Sequence, residues 1–177
     1  MGFTPLDGIE MGTRCGAIDP AIVPYIMEKE GFTPAEMSDF MNKKCGLLGV
    51  SGISSDSRDV EKAAAEGNER AILATKILAY QIKKFIGAYT AAMGGLDAIV
   101  FTAGLGENNP QLRERVCGDL AYMGVELDTA VNAAAHHQPD TIKLSSDNSK
   151  VAVYLIPTNE ELVIASDAEK IATALKK

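Results

Sequence analysis

The stretch Ile99-Val100-Phe101-Thr102-Ala103-Gly104-Leu105-Gly106-Glu107-Asn108-Asn109-Pro110 constrains the fold more than any other part of the chain. Ile99 to Phe101 is a short β-branched and aromatic run, the pattern of a buried strand, and it empties directly into two glycines and two amides. Pro110 then opens a segment in which Leu112, Val116 and Leu120 recur every four residues until Gly124. A strand, a glycine loop and a helix in that order belong to an α/β domain. Gly104 and Gly106 remove side chains where a ligand could approach the backbone, and a helix beginning near Pro110 would aim unpaired N–H groups and its positive dipole end at the loop. Tight packing alone also uses such turns, so Gly-x-Gly by itself leaves both readings open. Asn108 or Asn109 is the expected N-cap.

The remaining punctuation is mostly helical. Met1 to Gly16 is rich in Gly, Thr and Pro and reads as loop, with Arg14 standing alone among small residues. Asp19-Pro20 predicts a helix start, with Ile22, Val23, Ile26 and Met27 before a stop at Gly31. Thr33-Pro34-Ala35-Glu36 is a capping box for a second helix carrying Met37, Phe40 and Met41 on one face, with Gly46 beyond its end. Gly49 to Arg58 is small and polar, and Ser54, Ser55 or Asp56 can cap the helical stretch from Val60 to Met93, which bends near Gly67-Asn68. Its stripe of Leu78, Ile82, Ile86, Tyr89 and Met93 is expected to be buried against a sheet or a partner. An alanine-rich turn of helix and a short strand around Thr141 to Leu144 follow, and Val151 to Ile156 alternates as a strand ended by Pro157. Thr158 or Asn159 can cap a last helix with Glu160 and Glu161 in its first turn.

Composition narrows the function classes. A formal charge of −7 excludes a general nucleic-acid binder, which needs lysine and arginine spread over a broad surface. An anionic ligand would instead be held by local arginines, backbone N–H groups and a metal ion. No uninterrupted apolar run approaches the roughly 20 residues that span a bilayer, and no signal-like segment opens the chain, so a cytoplasmic protein is expected. Cys15, Cys45 and Cys117 form no Cys-x-x-Cys pair and read as free thiols. His136 and His137 are adjacent and do not project together as a metal-binding pair would.

As a whole string, Phe101 to Asn108 closely resembles the adenosine-binding loop of the acetate kinase family, written Phe-Thr-(Ala/Gly)-Gly-Ile-Gly-Glu-Asn. Met1-Gly2-Phe3-Thr4-Pro5-Leu6, Met11-Gly12-Thr13-Arg14, Gly49 to Arg58 and Pro157-Thr158-Asn159-Glu160-Glu161 agree with that family in order and spacing. The resemblance covers essentially all of the chain. It implies the second domain of the actin-like, sugar-kinase-like ATPase fold, which is ribonuclease H-like, with residues 1–177 forming a single incomplete carboxy-terminal domain truncated at its amino-terminal strands.

That family transfers the γ-phosphoryl group of ATP to acetate, reversibly, giving acetyl phosphate and ADP. By resemblance Arg14 would stabilise the transferring group and Glu160 would hold Mg²⁺. Asp56, Ser57 and Arg58 would hold the adenosine together with Gly104, Leu105, Gly106, Glu107 and Asn108. Ser57 departs from the family, where this position is bulkier and often aromatic. The helices from Asp19 to Gly46 would contribute to a homodimer. The amino-terminal domain, with its catalytic aspartate and acetate-binding arginine, and a His-Leu-Gly-Asn-Gly loop have no counterpart here, so the isolated chain is expected to be catalytically silent. The alternatives are a fragment of a propionate or butyrate kinase, and a non-catalytic dimerisation module using Met37, Phe40 and Met41.

Overall fold

The structure, a computed structural model, describes residues 2–136 and 139–175. Two compact units emerge, one made of Met1–Leu96 with Arg115–Leu120, the other of Asp97–Glu114 with Ala121–Lys177. His137 lies outside the described residues.

The first unit is helical. Helix α1 (Ile22–Glu30) stops at Gly31, and α2 (Pro34–Lys43) starts on the expected capping box: Thr33 Oγ1 accepts from the Glu36 N–H, and the Glu36 carboxylate accepts from the Thr33 N–H. The Thr33 N–H, and then its hydroxyl, which also donates to that carboxylate, hold the Glu36 carboxyl below its ordinary value. The start of α1 differs from expectation, because Pro20 precedes the helix and Asp19 accepts from the Ala21 N–H without capping α1 itself. A short helix unread in the sequence, α3 (Gly46–Ser51), follows. Its first N–H groups are satisfied from a distance: Leu47 donates to the Met11 carbonyl at 3.0 Å and Leu48 to the Gly12 carbonyl at 2.9 Å.

Helix α4 (Ser57–Ala65) and the 25-residue α5 (Glu69–Met93) are separated where Gly67-Asn68 predicted, with Asn68 capping α5. Small residues on α5, namely Ala71, Ala74, Thr75 and Ala79, are buried with Leu78 and let α3 and α4 pack closely. The expected apolar stripe is buried only at Leu78: Ile82 and Ile86 are half-buried, and Tyr89 and Met93 are exposed. Within this unit Arg115 makes a bidentate ion pair with Glu61 at 2.6 and 2.7 Å.

The second unit carries the sheet. Among the described residues, β1 (Ala98–Phe101), β2 (Ile142–Lys143) and β3 (Ala152–Leu155) lie in the order β1-β3-β2, with β1 parallel and β2 antiparallel to β3. The register sets Ile99 opposite Val153 and Phe101 opposite Leu155, and these four buried side chains form one apolar face. Val100 points away and is exposed, so β1 is buried on one face only. Leu112, Val125, Ala135, Leu144 and Val151 complete the core.

The glycine segment is not an open loop. It folds as the six-residue helix α6 (Ala103–Asn108), followed by α7 (Pro110–Gly118), whose own Val116 and Cys117 are buried. The unit is completed by a 3₁₀ turn (Ala121–Met123), α8 (Thr129–Ala134) and α9 (Glu160–Leu175). α9 buries none of its residues, and Leu162, Val163 and Ile164 are exposed. No helix among the described residues is long and apolar enough to cross a membrane.

Candidate functional site

In the first unit, Arg14 sits on a tightly held turn. The Met11 N–H donates to the Arg14 carbonyl at 3.1 Å, the Cys15 N–H to the Met41 carbonyl at 3.1 Å, and the Cys45 N–H to the Thr13 carbonyl at 3.0 Å. The turn is thereby framed by the end of α2 and the start of α3, while the half-exposed Arg14 guanidinium engages no hydrogen-bond or ion-pair partner among the described residues. Gly12 brings this turn against the segment before α4: a Cβ added there would stand 2.6 Å from the Ser55 carbonyl oxygen. Asp56 follows immediately. It caps α4 by accepting from the Arg58 N–H at 2.9 Å, and its carboxylate also takes the Arg58 guanidinium, Nη2 at 2.5 Å. The Arg58 side chain, then its N–H, pull the Asp56 carboxyl down to about 2. Of the three capping candidates the structure selects Asp56, and Ser57 opens the helix as its first residue.

Glu10, four residues before Arg14, went unnoticed in the sequence. It is 3 % exposed, and its Oε1 is buried with no hydrogen-bond partner. Burial pushes its carboxyl up to about 7. Its backbone N–H is anchored to Gln81 Oε1 on α5 at 2.7 Å.

In the second unit, the parallel strands β1 and β3 end side by side, and the chain leaving each lines one crevice of about 440 Å³. Ala103, Gly104 and Glu107 come from α6, and Thr158, Asn159, Glu160 and Glu161 from the start of α9. Carboxyl ends of neighbouring parallel strands are where α/β sheets bind ligands. Thr158 fastens the two sides: its Oγ1 accepts from the Ala103 N–H at 3.0 Å and shares a hydrogen bond with Thr102 Oγ1 at 2.7 Å, while its own N–H donates to the Glu107 carboxylate at 2.8 Å. Ala103 is held at φ 57°, the left-handed region that a residue with a Cβ adopts at a cost.

The two glycines differ. A Cβ on Gly106 would meet the Phe101 backbone at 3.3 Å, so packing accounts for it. A Cβ on Gly104 would meet nothing within 4 Å among the described residues, its φ is ordinary, and it lines the crevice. The asparagines divide as well. Asn109 is buried and caps α7 by accepting from the Leu112 N–H at 2.8 Å, which leaves the exposed Asn108 free of that duty. Asn159, not Thr158, caps α9, accepting from the Leu162 N–H at 3.0 Å. Gly104, Glu107 and Glu160 thus share one crevice, Leu105, Gly106 and Asn108 belong to the helical turn on its edge, and Arg14, Asp56, Ser57 and Arg58 belong to the first unit.

Arg113 also escaped the sequence reading, although it falls three and four residues before Val116 and Cys117 and so on the apolar face of α7. Its side chain is fully buried, and it donates to the carbonyls of Gly106 at 2.7 Å and Glu107 at 3.0 Å.

Residues 1–166 match the model of the Acetokinase family. The chain is 54% identical over 171 residues to the acetate kinase of Halothermothrix orenii, an alignment that takes in 97% of this chain and 42% of that protein. Among solved structures, the acetate kinase of Porphyromonas gingivalis superposes with a TM-score of 0.89 at 48% identity, covering 97% of this chain and 43% of the other. A propionate kinase from Francisella tularensis gives 0.84 at 41% identity, covering 93% and 41%. The chain therefore spans less than half the length of the relatives it matches, and the fold of that part is the one its resemblance implied. With a family match across nearly its whole length, the chain belongs to the acetokinase family.

Proposed function

We propose that this chain is the carboxy-terminal, nucleotide-binding portion of an acetate kinase, an enzyme that moves the γ-phosphoryl group of ATP to acetate and leaves ADP. The observation that carries this reading is Gly104: it lines a crevice at the carboxyl ends of two parallel strands, and neither packing nor backbone conformation requires it to be glycine. A bare Cα there gives an adenosine room to lie against the turn. Asn108, released from capping by Asn109, supplies an amide for hydrogen bonds to the base or ribose.

Phosphoryl transfer depends on positioning and on neutralising charge, and each remaining residue supplies one of these. Arg14, on its rigid turn, offers a guanidinium whose planar fork matches two phosphoryl oxygens. The Arg58 side chain, oriented by Asp56, and Ser57 contribute to nucleotide contact, and with a small side chain at position 57 that contact is polar and not stacked. Among the described residues there is no group of three or more His, Cys, Asp or Glu able to cage a metal, but Glu160 and its neighbour Glu161 line the crevice. That donor set suits Mg²⁺, which takes one or two carboxylates and completes its shell with water and phosphate oxygens. Glu160 would hold it, and the ion would neutralise phosphate charge.

Cytoplasmic location and assembly as a homodimer through the α1–α2 region belong to the same reading. Acceptor choice between acetate and propionate is part of it too, with acetate favoured by 54% identity to the acetate kinase of Halothermothrix orenii against 41% to the propionate kinase.

Calorimetric titration of the chain with Mg-ADP tests the proposal. Saturable binding is expected, and Asn108→Ala should weaken it about tenfold, the equivalent of one good hydrogen bond. A folded sample that takes up no Mg-ADP would sink the reading for this molecule.

A further inference from the structure

We infer that Arg113 is a positioning residue for the nucleotide: from behind the crevice it fixes the helical turn that presents Gly104 and Asn108. The inference rests on the reading of that turn as an adenosine contact.

α6 has six residues, too few to persist on its own hydrogen bonds, and two of them are glycines. The carbonyls of its last turn have no partner within the helix. Arg113, in the first turn of α7, fills that gap by reaching back along the chain. One Nη donates to both Gly106 and Glu107, and the cation sits at the negative end of the helix dipole.

The other donors of the same guanidinium tie it to α8. Nε donates to Asn132 Oδ1 at 2.8 Å, and the second Nη to the carbonyls of Asn132 at 3.0 Å and Ala135 at 2.5 Å. Asn132, itself 1 % exposed, donates to the Pro110 carbonyl at 2.9 Å and so fixes the start of the helix from which Arg113 projects. The turn bearing Gly104 and Asn108 is therefore clamped to α8 through one side chain that does not line the crevice. Asn108 directly follows the second clamped carbonyl, so its direction depends on the clamp.

A lysine keeps the charge but offers a point cation with three donors on a flexible stem, and cannot serve five acceptors spread over two helices. The test compares the 177-residue chain with Arg113→Lys, Asn108→Ala and the double variant. Mg-ADP affinity is measured by calorimetry well below the melting temperature of each, and amide exchange is followed by mass spectrometry.

Arg113→Lys is expected to lose about tenfold in affinity, with faster exchange concentrated in residues 103–109 while β1 and β3 stay protected, and the double variant should bind no more weakly than Asn108→Ala by much. A folded Arg113→Lys chain with unchanged affinity, or losses that simply add to those of Asn108→Ala, would overturn the inference. If Arg113→Lys fails to fold, Asn132→Ala decides, since it removes the Nε bond to α8 and the tie from Asn132 to Pro110 while leaving the guanidinium and both backbone carbonyls in place; a loss of about threefold supports the clamp and unchanged affinity overturns it. Absence of binding in the unaltered chain would instead remove the nucleotide reading itself.

Discussion

At pH 8, Glu10→Gln should be more stable than the unaltered chain by about 2–3 kcal/mol, and at pH 4 the two should be equal within about 0.5 kcal/mol. The difference comes from a carboxyl that titrates near 7 in the fold because burial penalises its charge, against an ordinary value of 4.5. Between those values the folded chain binds more protons than the unfolded chain, so stability falls as pH rises through 4.5 to 7 and levels off above it. Glutamine has the same shape and no charge to desolvate, so its chain should lack this slope. Asp56 and Glu36, whose carboxyls are held below their ordinary values, act in the opposite sense and only in more acid solution, where their contributions fade as they protonate. Urea denaturation at pH 4, 6 and 8 reads the effect. Parallel stability profiles for the two chains would show that Glu10 ionises without penalty.

A loss of about 3–4 kcal/mol is expected for Leu155→Ala, the other large effect. Leu155 is 2 % exposed on β3, the strand with neighbours on both sides, where it lies opposite Phe101 in one register and Ile142 in the other. Truncation removes three carbons from a face made of Ile99, Phe101 and Val153, and the hydrogen-bonded strands cannot close over the cavity that remains. Val100→Ala is the matched control. It sits one residue from Phe101 but points to solvent, and should cost about 0.5 kcal/mol or less. Thermal unfolding of both variants checks the pair, and equal shifts would mean that the apolar face of this sheet is not a packed core.

What the sequence revealed follows the range of the forces involved. The Thr33-Glu36 box, the stop at Gly31 and the break at Gly67-Asn68 are written in residues a few places apart, and each is found where its spacing puts it. The strands at 98–101 and 152–155 were legible from side-chain type alone. Helices α3 and α6 were not. Both are short and glycine-bearing, and what holds them lies outside their own residues: the carbonyls of Met11 and Gly12 for one, Arg113 of the next helix and the distant Thr158 for the other.

The same holds at the candidate site. The residues of the glycine segment and Glu160 could be named from their motifs, and three of them do line one crevice. Which asparagine caps and which remains available could not be read from Asn108-Asn109, because the answer depends on which one is buried. Nor does Gly-Ile-Glu-Met announce that its glutamate lies in the interior, since its surroundings are set by contacts distant in the chain, among them the bond from its backbone N–H to Gln81 of α5.

Gly46 and Gly104 give the chain two different kinds of intolerance to mutation. Gly46 has φ 61°, and a Cβ there would stand 2.0 Å from the Met11 carbonyl oxygen, so every other residue type breaks the fold at the turn that carries Arg14. Gly104 has open space around it and ordinary dihedrals, so a folded chain accepts a side chain there. A saturation library sorted first for folded protein and then for Mg-ADP capture should therefore lose diversity at position 46 in the first sort and at position 104 only in the second. The order in which variation disappears separates residues that the chain keeps for itself from those it keeps for what it binds.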